Sequence, residues 1–370
     1  MSAVTPVRMP KWGLSMQEGT IVFWYKSEGE AVSEGEDLVD IETAKITNVC
    51  EAPSEGVLRR VVVQSGETVP IGALIGVVAT ADVADAEIDA FVTEFQASFV
   101  PEEEDEGGGL ALSMVEVDGR SLRVGQAGAG DGAPFLLVHG YAGDLNGWAL
   151  TLPALLEKGR VIVLDLPGHG GSAKDVGDAS LDFLARSVAG VMQALGVDKA
   201  HLIGHSMGAA TLARLAADHP ERVASLTLVS PSHMPGGEIS EPFLTGVAEA
   251  DKARSMKPWL EDLFADPALV SKDMVEDMIK YKRTDGVEEA LAALRDRLVA
   301  GDDARALAAD LPRIGSALVV ASHNDKIVGA PDEGALPGTF RVVWIDGAGH
   351  MPHFEAADQV NALIMAQAGF

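Results

Sequence analysis

Apolar and polar positions change rhythm twice along this chain. Over the first 80 residues, short apolar runs separated by Gly-bearing turns predict strands at 20–25, 37–41, 57–63 and 74–79. Within 81–100 the large apolar residues Ile88, Phe91, Val92, Phe95 and Phe99 fall at helical spacing, and Asp85 is placed to cap that helix. Its stripe needs a cover, either the chain's own domains or a partner subunit, and the expectation is a docking helix. From Leu110 onward strand-like and helix-period segments alternate, with strands expected at 112–117, 122–125, 135–138, 161–165, 200–203, 225–230, 317–322 and 341–345. The alternation breaks between 231 and 312, where Met, Leu, charge and six prolines predict a helical insert capping whatever site the sheet carries.

The first segment repeats itself. Glu18-Gly19, Gly29-Glu30, Val32, Gly35 and Leu38 recur 37 positions later as Glu55-Gly56, Gly66-Glu67, Val69, Gly72 and Ile75. Two similar halves built of short strands imply a pseudo-symmetric β-domain. The seam between the halves is Glu42-Thr43-Ala44-Lys45-Ile46-Thr47, which puts Lys45 at a hairpin tip. Cys50, five residues on, is read as a small strand residue.

The second segment carries a nucleophile pattern, Gly204-His205-Ser206-Met207-Gly208, between the apolar run 200–203 and the helix-forming run 209–217. A strand-to-helix turn this tight strains its central residue and needs small neighbours, and it holds the Ser206 hydroxyl at the carboxyl edge of a sheet. The Met207 amide then opens a helix and can face an oxyanion, with a second amide, that of Tyr141, supplied by His139-Gly140-Tyr141-Ala142-Gly143 after the strand at 135–138. Asp325 follows the strand at 317–322 and can orient an imidazole; His350 follows the last strand and can take the serine proton. His353 would fall within the next helix and point away, and Asp346 is too near His350 in sequence to reach its ring. The run from Val163 to Ser172, Val-Leu-Asp-Leu-Pro-Gly-His-Gly-Gly-Ser, is read as structural. No histidine pair at metal-ligand spacing has a suitable carboxylate, so no metal is expected.

Composition narrows the class. A net charge of −28 disfavours nucleic acid and anionic membranes as partners. The single cysteine, the lack of a membrane-length span and the lack of an apolar signal core in residues 1–11 fit a cytoplasmic protein. No Lys or Arg lies between Arg60 and Arg120, and that gap holds Glu102-Glu103-Glu104-Asp105-Glu106 followed by three glycines, a solvated, self-repelling linker. The domains are then 1–80, a linker at 81–109 and 110–370, with the cap at about 231–312.

Two resemblances give these pieces a joint meaning. The run from Met9 to Gly19, Glu42-Thr43-Ala44-Lys45 and Glu51-Ala52-Pro53 resemble the lipoyl domain of 2-oxo-acid dehydrogenase complexes over nearly all of residues 7–79. Such a domain is an all-β, flattened pseudo-symmetric barrel. Biotin carriers usually place Met on both sides of the modified lysine; Ala44 and Ile46 stand there, which favours lipoate on Lys45. The order Ser206, Asp325, His350 resembles α/β-hydrolases. A lipoyl domain joined to a hydrolase fold resembles the dihydrolipoamide acetyltransferase components of acetoin dehydrogenase complexes. Ordinary acyltransferase components use a His-x-x-x-Asp-Gly motif that no histidine here begins. The resemblance implies an acetyltransferase that passes an acetyl group from lipoyl-Lys45 through Ser206 to coenzyme A. It also implies partners that decarboxylate the substrate and reoxidise dihydrolipoamide, around a homo-oligomeric core. The small basic domain that usually binds those partners is missing, because the linker has no basic residue. In the cap, Lys252, Arg254, Lys257, Lys280, Lys282 and Arg283 are candidates for the phosphates of coenzyme A. Two other readings stay open at this point: a lipoyl-tethered hydrolase of a thioester, ester or carbon–carbon bond, and a non-catalytic carrier and docking subunit.

Overall fold

A computed structural model describes residues 4–10, 18–42, 47–99 and 110–370, in two units, Met1–Gly109 and Leu110–Phe370. Lys45, residues 11–17 of the lipoyl-like motif and the acidic run at 102–106 lie outside the described residues.

In the first unit the strands are β1 (Val4–Arg8), β2 (Glu18–Trp24), β3 (Ala31–Val32), β4 (Asp37–Glu42), β5 (Thr47–Glu51), β6 (Gly56–Val61), β7 (Thr68–Pro70) and β8 (Leu74–Ala79). They make two antiparallel four-stranded sheets, ordered β1-β8-β6-β3 and β5-β4-β2-β7. The repeat read from the sequence is a repeat of hydrogen bonds. Gly29 donates to the Leu58 carbonyl at 2.8 Å and Gly66 to that of Ile21 at 2.7 Å, while the Ser27 amide meets Glu30 Oε2 and the Gln64 amide meets Glu67 Oε2, each at 2.6 Å. Gly29 and Gly66 take φ of +93° and +89°, a region that glycine enters without a Cβ penalty. Alternate residues of the halves, among them Ile21, Leu38, Ile41, Leu58, Ile75 and Val78, fill one core. The strands β1, β3, β5 and β7 were not legible: they are short, or polar like Thr47–Glu51, and pairing rather than pattern makes them strands.

The helix of this unit, α1 (Asp85–Ser98), starts one residue earlier in its cap than expected. Ala84 occupies the cap position with no side-chain bond, and Asp85 instead takes Arg59 at 2.7 Å, while Asp89 takes Arg60. The apolar stripe is covered by the unit itself, not left for docking. Ile88 is fully buried with Val4, Leu74, Val77, Ala79 and Val83; Phe91, Val92 and Phe95 pack half-buried beside them, and Phe99 joins the barrel core. Burial of a side chain like Ile88 stabilises by roughly 1.5–3 kcal/mol, so α1 belongs to the folded first unit.

The second unit is an eight-stranded sheet of β9 (Ala111–Val117), β10 (Arg120–Ala127), β11 (Phe135–Val138), β12 (Val161–Leu164), β13 (Ala200–His205), β14 (Val223–Val229), β15 (Ala317–Ser322) and β16 (Phe340–Ile345), ordered β16-β15-β14-β13-β11-β12-β10-β9. From β12 through β16 neighbours are parallel; β9 and β10 add an antiparallel edge. The parallel strands read as continuous apolar runs because helices cover them: α2 (Leu152–Leu156), α3 (Leu181–Ala194) and α4 (Met207–Asp218), with α5 to α9 in the insert and α10 (Pro352–Glu355) and α11 (Ala357–Ala368) at the end. The insert is five helices, Glu241–Glu249, Ala253–Glu261, Lys272–Lys282, Val287–Ala300 and Asp302–Asp310, packed through Phe243, Leu244, Val247, Met256, Ile279, Leu291 and Leu294. Lys282 is not free to meet a ligand. Its buried ammonium donates to the carbonyls of Val247, Ala248 and Ala250 at 2.5–2.9 Å, closing the carboxyl end of α5, so it leaves the set of candidate phosphate contacts. Among the described residues no helix is long and apolar enough to cross a membrane.

Candidate active site

The carboxyl edge of the sheet concentrates strain. Six non-glycine residues among those described have positive φ, and four of them, Ala142, Ser206, Ser230 and His233, follow the ends of β11, β13 and β14. Ser206 sits at φ 53°, ψ −117°, between the last residue of β13 and the first of α4. It is held there from two sides: its amide donates to Val229 at 2.9 Å, and its carbonyl accepts from Ser232 at 3.2 Å and Ala210 at 3.1 Å. The two flanking glycines are needed for closeness. A Cβ on Gly204 would lie 2.6 Å from the Ala209 Cα, and one on Gly208 would lie 2.3 Å from the His139 carbonyl oxygen. Backbone packing on both sides of the turn therefore excludes any side chain.

His350 is 2% exposed and is fixed at ring and backbone. Its Nδ1 donates to Asp325 Oδ2 at 2.8 Å. The other oxygen, Oδ1, accepts from the amides of Ile327 at 2.8 Å and Val328 at 3.0 Å, so the carboxylate cannot rotate away. Burial works to raise the Asp325 pKa, but the His350 imidazole and these amide bonds prevail and hold the carboxyl below its ordinary value. Asp325 and His350 are thus joined by a hydrogen bond, and each follows a sheet strand. Asp346 stands apart, exposed and 3.7 Å from His323.

The connection between Ser206 and His350 that the sequence did not reveal is His205. Its Nε2 donates to the His350 carbonyl at 2.8 Å, with the two rings 4.7 Å apart. The residue just before the serine therefore sets the backbone of the histidine. The one available signal was a polar residue ending an apolar strand. His353 lies in α10 as expected but faces inward: it is 2% exposed and its ring lies tilted against those of His205 at 4.6 Å and Trp148 at 4.7 Å.

Around β11 two further histidines act as braces. His139 donates from Nδ1 to the Gly140 carbonyl and accepts at Nε2 from Leu166; His169 donates to Pro167 and accepts from the Ala142 amide at 3.1 Å. Asp165, fully buried, takes Arg123 and the amides of Leu145 and Gly171, which agrees with the structural reading of that run. The Ala142 and Gly143 amides are engaged, and no acceptor among the described residues takes that of Tyr141. Met207 opens α4 and so carries one of the amides that a helix leaves without an internal partner. The Tyr141 hydroxyl donates to Leu291 at 3.0 Å, tying this loop to the cap helix α8.

Buried neutral imidazoles make the second unit acid-sensitive. Burial, with the neighbouring His350 a smaller cause, pushes the His353 pKa down to about 3; His205 and His169 are held well below their ordinary value, again chiefly by burial. Below about pH 6.5 the unfolded chain protonates each of these rings while the folded one does not, so stability falls as pH drops from there toward 3. For His353 the slope reaches about 1.4 kcal/mol per pH unit. Unfolding of the second unit followed across this window should lose about one proton of pH dependence in His353→Phe; an unchanged slope would contradict the assignment.

β4 and β5 pair as far as Glu42 opposite Thr47, and the segment 43–46, which contains Lys45, lies between them in sequence.

Comparison with known proteins gives these features a context. The family pattern described as alpha/beta hydrolase fold matches residues 133–357, and the one described as biotin-requiring enzyme matches residues 5–78. The chain is 44% identical over 371 residues to the dihydrolipoyllysine-residue acetyltransferase component of the acetoin cleaving system of Pseudomonas putida, covering 99% of each. It is 40% identical to the protein of the same name from Cupriavidus necator, over 99% of this chain and 98% of that one. Among solved structures, a 2-hydroxy-6-oxo-6-phenylhexa-2,4-dienoate hydrolase from a Rhodococcus strain superposes with a TM-score of 0.63 at 20% identity, over 70% of this chain and 98% of that one, a likeness of fold.

Proposed function

The chain belongs to the family of dihydrolipoyllysine-residue acetyltransferase components of acetoin cleaving systems, and from that premise we propose that Ser206, His350 and Asp325 carry acetyl from a thioester donor on Lys45 to coenzyme A. The observation that carries this reading is a relationship over 99% of each chain to such components, in a chain whose hydrolase unit holds a buried, hydrogen-bonded His350–Asp325 pair and a strained serine at a strand end.

Lipoate, bound to Lys45, supplies the dithiol that presents the acetyl group as a thioester. At the hydrolase unit, Ser206 Oγ attacks the carbonyl carbon of that thioester while His350 Nε2 takes the hydroxyl proton. Asp325 keeps the proton on Nδ1, which leaves Nε2 free as the base, and stabilises the imidazolium that forms. The amides of Met207 and Tyr141 receive the oxyanion. When the carbon–sulfur bond breaks, His350 returns its proton to the departing thiolate, leaving acetyl-Ser206 and a dithiol. The same steps run again with the thiol of coenzyme A as nucleophile: His350 takes its proton, acetyl-coenzyme A leaves, and Ser206 regains a proton. A thioester replaces a thioester, so little free energy is lost, which hydrolysis would waste.

The triad does not distinguish thiol from water, so the preference rests on access. The cap over 231–312 is positioned by sequence to shield the acyl-serine, and the tie from Tyr141 to Leu291 links it to the oxyanion loop. Lys252, Arg254, Lys257, Lys280 and Arg283 remain the cap cations proposed to hold phosphates. The partners are the subunits that decarboxylate the substrate and reoxidise the dithiol, around a homo-oligomeric core. The reaction is placed in the cytoplasm, where Cys50 stays reduced. Loading the enzyme with acetyl and following its fate tests the acceptor. Acetyl-coenzyme A should form much faster than acetate appears without coenzyme A; acetate released equally fast in both conditions would make this a lipoyl-tethered hydrolase.

A further inference from the structure

The loop that carries His350 is fastened to the cap by one carboxylate that the reaction scheme does not use. Glu355 ends α10, five residues beyond His350, and is half-buried. Its Oε2 accepts the Gly349 amide at 2.7 Å and its Oε1 accepts the Ala265 amide, also at 2.7 Å. Ala265 belongs to the cap, in the turn after α6, whose Leu263 carbonyl accepts the His350 amide at 2.8 Å. The two segments touch so closely that a Cβ on Gly349 would lie 2.7 Å from the Ala265 nitrogen and 2.8 Å from the Leu263 oxygen. Phe264, between them, is 1% exposed and packs edge-on against Phe354 at 5.7 Å. Among the described residues no cation pairs with Glu355. Both of its oxygens are spent on amides, one in each segment.

A carboxylate is suited to this task because it accepts on both oxygens and donates on neither. We propose that Glu355 is a positioning residue that couples the cap to the triad: it fixes the His350 backbone against the turn at 263–265, so that displacement of the cap moves the imidazole relative to Asp325 and Ser206. This rests on the reading of His350 as the general base. His350 is then gripped through its ring Nδ1 by Asp325, its backbone amide by Leu263, its carbonyl by His205 and the preceding Gly349 amide by Glu355. Glu355 alone of these side chains spans both the cap and the histidine loop.

Glu355→Gln tests it in the full, lipoylated chain. Gln keeps one acceptor and turns an NH2 toward the other amide, so one grip is lost at nearly constant volume. With free acetyl-dihydrolipoamide as donor, kcat should fall about tenfold to a hundredfold, with KM for the donor thioester and for coenzyme A changed less than about twofold. The acidic limb of kcat/KM should move to lower pH, since an imidazole held less firmly against Asp325 loses stabilisation of its protonated form. Glu355→Asp, which keeps two accepting oxygens, should recover part of kcat; it also carries the comparison if the Gln variant fails to fold. An unchanged kcat and limb would overturn the proposal, as would a lower kcat with an unmoved limb, the mark of a merely structural role. Ser206→Ala, assayed alongside, separates the two ideas. Substantial transfer by that variant would sink the triad reading, whereas the NMR titration of the His350 ring, followed in the Ser206→Ala background with and without Glu355→Gln, judges the coupling without activity. No shift in that titration overturns it.

Discussion

Replacing Ser206 with Ala should lower acetyl transfer from dihydrolipoamide thioesters to coenzyme A by about 10⁴-fold or more. The serine is held by its backbone rather than by its side chain: the Val229 carbonyl takes its amide, the Ser232 and Ala210 amides meet its carbonyl, and α4 begins at the next residue. Loss of the hydroxyl therefore leaves the turn intact and removes only the group proposed as nucleophile. His350→Ala should cost a similar factor and Asp325→Asn about tenfold to a hundredfold less, and the double variants should be little worse than the single ones, as groups proposed to act as one unit require. Near-normal transfer by Ser206→Ala would instead mean direct attack of one thiol on the other's thioester within the oxyanion site.

The second large effect lies at Lys45. With partner subunits present and no free carrier added, Lys45→Arg should reduce overall turnover to background, since arginine keeps the charge but offers no amine for amide attachment. Transfer from free acetyl-dihydrolipoamide should be spared, because the hydrolase unit is untouched. The contrast measures the tether: an attached arm meets its site at roughly millimolar effective concentration, which a free carrier must supply in bulk. Full turnover by the arginine variant would exclude Lys45 as the attachment point.

Features set by local pattern were readable from the sequence, and features set by tertiary contact were not. The six parallel strands of the large sheet could be placed because parallel strands covered by helices are rich in continuous apolar runs, the antiparallel β9 and β10 because their apolar positions recur at strand spacing, and the 37-residue repeat was visible because the same turn chemistry recurs, down to the Glu30 and Glu67 carboxylates capping equivalent amides. The helix at 85–98 was also visible, but what covers Phe91 and Phe95 was not, since one amphipathic stripe serves a domain's own core or a partner equally well. Lys282 looked like a surface cation. Only the folded chain brings three carbonyls around its ammonium. The grip of His205 on His350 joins residues 145 positions apart, and that of Glu355 on Ala265 joins residues 90 apart; spacing along a chain carries no trace of either.

In the proposed reaction the acetyl group rests on Ser206 between two thiols. Rapid quenching of the lipoylated enzyme with a labelled acetyl donor and no coenzyme A, followed by mass analysis of its peptides, tests this directly. Label should appear on the peptide bearing Ser206 and should pass from it to acetyl-coenzyme A when coenzyme A is added, at a rate no slower than turnover. Label confined to the lipoyl peptide while acetyl-coenzyme A still forms at the full rate would contradict the account.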